Sequence, residues 1–209
     1  MPRPSTQEFL EIKQIRNGVI VLKNNALRAV LMVSSLNFAL KTAEEQEAIL
    51  YQFQNFLNSL DFTCQIVASS RRLNITGYLD KLKELEEKEE NELLKLQIKE
   101  YHSFIEGLMT GGNVVQKNFY VVVPFTIFEQ KGPNKRKLRV FSELTEKDFQ
   151  RAKSQLIQRV EFVALGLKRC GLQAIPLTTS ELIELFWSLY HPLEAERGYY
   201  PEIPPELSL

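Results

Sequence analysis

The chain has 209 residues, 44% of them hydrophobic and 25% charged, which is enough to bury the core of one soluble domain. Its 26 basic and 26 acidic residues give a net charge of zero, which argues against a surface that attracts nucleic acid all over. The longest apolar run, residues 119–128, has about ten residues and is too short to span a bilayer. The amino terminus is polar without an apolar signal core, so we expect a cytoplasmic protein that could lie peripherally at the inner face of the cell membrane.

Three short strands are predicted within residues 9–34. The dipeptide Asn17-Gly18 is typical of a tight β-hairpin turn, and residues 23–25 indicate a second turn. The run from Leu27 to Val33 is almost continuously apolar, which predicts a strand in the centre of a sheet.

A capped helix is predicted to begin at Thr42. Thr42 and Glu45 have the spacing of a capping box, in which the hydroxyl and the carboxylate each accept a hydrogen bond from a backbone amide. The buried face carries apolar residues at helical spacing, namely Ile49, Phe53, Phe56 and Leu60. An apolar strand is predicted after the helix, at residues 64–68.

A long helical arm is predicted over about residues 77–110. One straight helix of that length would measure roughly 50 Å, more than a compact domain of this size holds. Its middle, residues 86–92, reads EEKEENE and has no apolar residue, so it cannot pack against a core. This segment is either a solvated stretch of a projecting helix or the tip of a helical hairpin. We favour the hairpin because an amphipathic half lies on each side of it.

The second half of the chain again alternates strands and helices. We predict a central strand at residues 119–123, a hairpin with a basic tip at 126–141 and a strand at 172–177. Thr145 opens a helix whose buried face consists of Phe149, Ala152, Leu156, Val160, Val163 and Leu167. Thr178 caps a final helix, which ends at His191-Pro192.

These elements predict an α+β fold, with a mixed, largely antiparallel sheet flanked by helices and one long helix or helical hairpin as an arm. We expect residues 1–192 to form a single domain. The tail, residues 193–209, contains several prolines and is expected to be extended or irregular.

No phosphate-binding loop is present in the sequence. Such a loop requires closely spaced glycines before its Lys-Ser/Thr pair, and the pairs at residues 41–42 and 153–154 lack them. The strand at 119–123 runs into Pro124-Phe125, without a carboxylate that could hold magnesium. The sequence therefore argues against ATP hydrolysis.

The isolated reactive side chains have ordinary structural interpretations. His102 lies in a predicted helix with no second histidine near it in sequence, and His191 precedes Pro192 at a helix end, where it could cap carbonyl groups. Cys64 and Cys170 lie in or beside apolar segments without metal-ligand spacing, and we interpret both as buried thiols. We therefore expect a protein that is not an enzyme and holds no metal or cofactor.

Aromatic residues are concentrated near the carboxyl-terminal end, where they could bind a partner. They are Phe186, Trp187, Tyr190, Tyr199 and Tyr200. Packing within the domain is the ordinary explanation for them. The alternative is a docking surface for another domain or subunit, because the final helix is apolar on more than one face.

Two groups of basic residues form a second candidate surface. They are Arg71 and Arg72, and a predicted hairpin tip with Lys131, Lys135, Arg136, Lys137 and Arg139. A solvated loop is the ordinary explanation, and contact with acidic lipid headgroups or with a partner is the alternative. Aromatic residues are not interleaved with these charges, so the indication of nucleic-acid binding is weak.

Several stretches of the chain resemble one known family. Residues 33–74 (VSSLNF to SSRRLN), 78–86 (YLDKLKELE) and 117–125 (KNFYVVVPF) resemble the amino-terminal domain of the TraC/VirB-type traffic ATPases of conjugative, type IV secretion systems. Residues 181–192 (ELIELFWSLYHP) are similar to the family's closing helix and its Tyr-Asn-Pro-like end, with His191 in place of the Asn.

The resemblance implies a role without catalysis. In the family this domain precedes a motor domain, helps to assemble the ATPase and contacts inner-membrane components of the secretion channel. We therefore expect an assembly and interaction module that docks to a motor ATPase or to inner-membrane channel proteins, with self-association as a further possibility. The alternative hypothesis is a nucleic-acid-binding regulator that uses the basic tip at residues 131–139.

Overall fold

A computed structural model describes residues 10–72, 75–111, 115–126 and 144–196 of the chain. These residues divide into two compact units. The first contains residues 10–68, 118–126 and 144–183, and the second contains residues 69–72, 75–111, 115–117 and 184–196. The predicted α+β class is confirmed, because the described residues form an antiparallel sheet together with α-helices.

The described strands form one six-stranded sheet. They are β1 (Ile12–Arg16), β2 (Val19–Leu22), β3 (Leu27–Val33), β4 (Gln65–Arg72), β5 (Val115–Phe125) and β6 (Ala174–Pro176). The order across the sheet is β1-β2-β3-β5-β4, and β6 also pairs with β3. The predicted central positions of β3 and β5 are therefore confirmed.

Strand β3 is the organising strand of the sheet. Along its whole length it pairs antiparallel with β5, from Leu27 opposite Phe125 to Val33 opposite Phe119. On its other side the first part pairs with β2 and the last part with β6, both antiparallel. Because β3 is hydrogen bonded on both sides, an almost unbroken apolar sequence suits it.

The first hairpin has the turn that its sequence predicts. Asn17 and Gly18 both have positive φ, at 51° and 71°, which is the backbone of the tight turn between β1 and β2. The Gly18 amide also donates to Thr179 Oγ1 at 2.9 Å, which joins this turn to the start of the last long helix. A second turn follows β2, and Asn25 takes its positive φ of 61°.

The described helices are α1 (Ala43–Asn58), α2 (Thr76–Lys88), α3 (Glu92–Gly111), α4 (Glu146–Arg169), α5 (Thr179–Tyr190) and α6 (Pro192–Glu196), with a 3₁₀ turn at Phe38–Leu40. Helix α1 has the predicted capping box between Thr42 and Glu45. Helix α5 has an equivalent box, in which Thr178 N donates to Glu181 Oε2 at 2.7 Å and Thr178 Oγ1 accepts from Glu181 N.

Helix α4 packs on the sheet through the face that its periodicity predicts. All six apolar residues of that face are buried, with Phe149, Leu156 and Val163 at 0% exposure. Helix α1 packs in turn on α4, and Phe56 is its buried contact residue. The core of the first unit therefore lies between the sheet and α4, and Phe56 of α1 belongs to the same buried cluster.

The predicted arm is a helical hairpin. The chain leaves the helical conformation at residues 89–91, so that α2 and α3 are separate helices that pack on each other. Asn91 is the reason for the break, because its side-chain oxygen accepts hydrogen bonds from the amides of Leu93 and Leu94 and caps α3. Of the two alternatives left open by residues 86–92, the hairpin is confirmed and the continuous projecting helix is wrong.

Three boundaries differ from the sequence prediction. Strand β4 continues to Arg72 rather than ending at residue 68, and β6 covers only Ala174–Pro176 of the predicted residues 172–177. Residues 193–196, expected to be extended or irregular, belong to the short helix α6, which Pro192 opens. Proline suits the first position of a helix because its missing amide would have no partner there. The predicted hairpin at 126–141 lies almost wholly outside the described residues.

Candidate interaction site

An open, largely apolar groove of the first unit lies between α4 and the segment that contains β6, and we call it the α4–β6 groove. It consists of two adjoining depressions of about 520 and 600 Å³ that share Glu161. Its apolar lining includes Ile157 and Leu165 from α4 and Ile175 from β6, which is 64% exposed. Ile157 and Leu165 lie outside the buried face of α4, whereas Leu156 and Val160 of that face also line the first depression.

The floor of the groove is the outer side of the short strand β6. Ser34 N donates to Gln173 O at 2.8 Å and Leu177 N donates to Val30 O at 2.9 Å, so residues 173 and 177 turn their backbone groups towards β3. By the alternation of an antiparallel ladder, the backbone groups of Ala174 and Pro176 point away from β3. Proline has no amide to donate, so this edge offers mainly carbonyl groups to a neighbouring segment.

Charged side chains lie at both ends of the groove. Lys153 lines the first depression, Lys168 lines the second, and Glu161 lies between them. Apolar lining with a basic residue at each end and an acidic residue between them is suited to a partner segment that has apolar side chains, acidic residues at its ends and a basic residue between them.

The pKa shifts in the described residues have structural causes. Hydrogen bonds from the Thr42 and Thr178 backbone amides lower the pKa of Glu45 and Glu181, each in the first turn of a helix. Burial raises the pKa of the Cys64 and Cys170 thiols. Cys170 is buried as expected, whereas Cys64 is only half-buried. Among the described residues, no group of three or more His, Cys, Asp and Glu side chains is placed to hold a metal ion.

The aromatic set predicted for partner binding is only partly exposed. Phe186 and Trp187 are half-buried in α5, whereas Tyr190 at its end is 58% exposed. The Trp187 ring stacks on the imidazole of His191 with 5.1 Å between ring centroids, and the His191 amide donates to Trp187 O at 2.8 Å. His191 Nδ1 lies 3.2 Å from the same carbonyl oxygen, so the imidazole is placed to cap the helix end as expected. Tyr199 and Tyr200 lie outside the described residues, so the grouping of all five stays a prediction.

The predicted basic set is not brought together by the described structure. Arg71 is half-buried in β4, and Arg72 is the last residue of that strand. The tip residues Lys131, Lys135, Arg136 and Lys137, and Arg139 beside them, lie outside the described residues. A basic surface made from these two groups therefore stays a prediction.

The α4–β6 groove was missed in the sequence. One signal was present, because Ile157 and Leu165 are apolar and do not belong to the buried series on α4. The position of β6 beside α4 had no local signal, since it depends on pairing between residues 174–176 and the distant strand β3.

No described helix is both long enough and apolar enough to cross a membrane. The fold and the groove define an α+β protein with an antiparallel sheet, a helical hairpin and an exposed, largely apolar groove. The model of the archaeal TraC-like domain family matches residues 13–192, and the chain belongs to that family. No curated protein and no solved structure matches the chain. Membership of this family supports a conjugation- or secretion-related role.

Proposed function

We propose that the chain is a non-catalytic docking module of a conjugation or type IV secretion apparatus, located at the cytoplasmic face of the membrane. Its partner is the motor ATPase of that apparatus, with an inner-membrane channel protein as the other candidate. The observation that carries the proposal is the family match over residues 13–192. The α4–β6 groove supplies the surface through which docking would occur.

The groove has the physical character of a binding surface. Ile157, Leu165 and Ile175 expose between 40% and 64% of their surfaces, and burying them against a partner would remove that apolar area from water. Full burial of an aliphatic side chain is worth about 1.5–3 kcal/mol, so three partly exposed side chains can supply a useful fraction of a binding free energy.

The groove is also held in a fixed shape. Val163, on the face of α4 that packs on the sheet, is fully buried, and Leu156, which lines the first depression, is fully buried as well. Strand β6 is fixed by its pairing with β3. A site on elements anchored in this way loses little conformational entropy when a partner binds, and changes in its exposed side chains should leave the fold intact.

The proposal is tested by titrating the purified protein with the motor ATPase of the same secretion system and measuring heat or fluorescence. Leu165→Glu is expected to raise the dissociation constant about tenfold or more, because it places a charge among the apolar side chains of the second depression. Leu50→Glu on α1 is the matched control, since Leu50 is 58% exposed and Leu165 is 59% exposed. No association with the motor, or an equal loss in both variants, would contradict the proposal.

Two further predictions concern what the chain binds. Tyr190 is the exposed member of the aromatic set among the described residues and is proposed as an additional partner contact. The alternative of a nucleic-acid-binding regulator acts through residues 131–139, which lie outside the described residues, and it stays a prediction. Salt-sensitive DNA binding that disappears when those basic residues are neutralised would favour it.

A further inference from the structure

The α2–α3 hairpin has two apolar faces, of which one lies between its own helices. Leu82 of α2 is buried, and Ile98, His102 and Ile105 of α3, which share one face of that helix, are half-buried. The second face lies on one side of the hairpin, and we call it the open hairpin face. Its residues are Tyr78 and Leu85 on α2, and Tyr101, Phe104 and Leu108 on α3.

Helical spacing and one contact place these residues on the same side. Tyr78 and Leu85 are seven residues apart, as are Tyr101 and Leu108, so each pair lies along one line of its helix. The hydroxyl groups of Tyr78 and Tyr101 are 3.4 Å apart, which joins the two lines at one level of the hairpin. Phe104 lies one turn from both Tyr101 and Leu108 and completes the face.

The open hairpin face exposes large apolar side chains. Phe104 is 62% exposed, and the other four side chains are between 45% and 49% exposed. Monomeric proteins rarely leave a contiguous apolar patch of this kind uncovered. A layer of two helices with such a face is completed by a second layer of helices.

Charges on the two edges of the face indicate what the second layer is. Lys81 lies on the outer edge of α2 between Tyr78 and Leu85, and Glu100 lies on the outer edge of α3 beside Phe104; both are exposed. The contact between Tyr78 and Tyr101 marks one level of the hairpin. Measured along the helix axes from that level towards the turn, Lys81 lies about 4.5 Å away and Glu100 about 1.5 Å away. A positive and a negative charge therefore occupy opposite edges at nearly the same height.

We propose that the open hairpin face binds a second copy of the chain and forms a four-helix bundle. The two hairpins face each other with their turns at the same end, so that α2 of each copy lies over α3 of the other. This arrangement places Lys81 of each copy beside Glu100 of the other, which gives two equivalent ion pairs. The arrangement with turns at opposite ends places α2 over α2 and brings the Lys81 edges together, which like-charge repulsion disfavours.

This self-association is independent of the proposed docking function, because it uses a different surface and needs no motor protein. It follows the rule for two-fold interfaces, in which the same patch of both subunits must be self-complementary. The apolar residues supply the contact area. The charges on the two edges determine how the two hairpins are oriented and aligned with each other.

The test is the mass of the full chain in solution, measured by sedimentation velocity over a range of concentrations. We expect the wild type to move from its monomer mass of 24.2 kDa to twice that mass as the concentration rises. Lys81→Glu and Glu100→Lys should each raise the dimer dissociation constant about tenfold or more, since each variant places like charges opposite each other twice. Phe104→Ser should also raise the dimer dissociation constant, because it removes the most exposed apolar side chain of the face.

A charge exchange makes the test specific. An equimolar mixture of the Lys81→Glu and Glu100→Lys variants should form a heterodimer, and the double variant should recover the homodimer. Lys83→Glu is the matched control, since Lys83 is an exposed lysine on the other side of α2 and should leave the dimer unchanged. A wild type that stays monomeric at all concentrations, or single variants that dimerise as the wild type does, would overturn the proposal. Failure of the mixture to recover the dimer would overturn it as well.

Discussion

At the residue scale, the contact between α1 and α4 depends on one glycine. Gly166 lies in α4 where the ring of Phe56 crosses the helix, and a β-carbon at position 166 would overlap that ring. Phe56 is the buried residue of α1. The close approach of these two helices therefore requires the absence of a side chain at residue 166, a requirement that the helical pattern of α4 does not reveal.

Gly166→Ala should lower the free energy of unfolding by about 1–3 kcal/mol, because Phe56 must leave its position or α1 must move away from α4. Gly107→Ala in α3 is the control, since nothing lies within 4 Å of its β-carbon position. That change should raise stability by up to about 1 kcal/mol through helix propensity. Urea denaturation measures the free energy of unfolding of both variants. A Gly166→Ala protein as stable as the wild type would show that Phe56 does not pack tightly on residue 166.

At the element scale, the caps of α1 and α5 link stability to acid pH. Hydrogen bonds in the two capping boxes lower the pKa of Glu45 and Glu181 below the unfolded-state value of 4.5. A carboxylate with a lowered folded-state pKa stabilises the protein above the unfolded-state value. This stabilisation is lost as the pH falls through the folded-state pKa.

Glu181→Gln should therefore be less stable than the wild type above about pH 4.5, and the difference should shrink as the pH falls through the folded-state pKa of Glu181, so that the variant loses less stability in acid. A neutral amide keeps much of the cap hydrogen bond but does not titrate. Glu184→Gln, one turn further along the same helix, is the control. Melting temperatures measured from pH 3 to pH 7 provide the comparison, and parallel curves for the wild type and Glu181→Gln would count against the role of this cap.

The secondary structure of α1 and α4 was predictable because periodicity is local. The capping box at Thr42 and the buried series on α4 both follow from spacing, and both are confirmed. The hairpin at residues 89–91 could not be decided from charge, since a solvated helix and a turn both accept acidic residues. Asn91 was the overlooked signal, as a residue whose side chain can cap the helix that follows it.

Contacts between distant residues were not predictable. The guanidinium of Arg159 lies 4.6 Å from the ring centroid of Phe62 and 5.1 Å from that of Phe125, and it donates to Pro124 O at 2.8 Å. In the sequence Arg159 is simply a charged residue in a helix. The α4–β6 groove was missed for the same reason, because β6 is placed by pairing with β3.

At the scale of the whole molecule, we propose two surfaces of the chain for two kinds of partner. The α4–β6 groove is proposed to bind the motor ATPase, and the open hairpin face is proposed to bind a second copy. Each surface presents apolar side chains on a helix whose other face is packed within its own unit. The family match gives the apparatus in which such a module would act.

The central claim is that the α4–β6 groove contacts the motor ATPase in the assembled apparatus. A photo-crosslinking amino acid placed at residue 165 tests it most directly, in cells that carry the complete secretion system, with the motor detected by a specific antibody. We predict a light-dependent crosslink between residue 165 and the motor. We predict no crosslink to the motor from residue 50 on α1, which is equally exposed. No crosslink to the motor from residue 165, or crosslinks of equal yield from both positions, would contradict it.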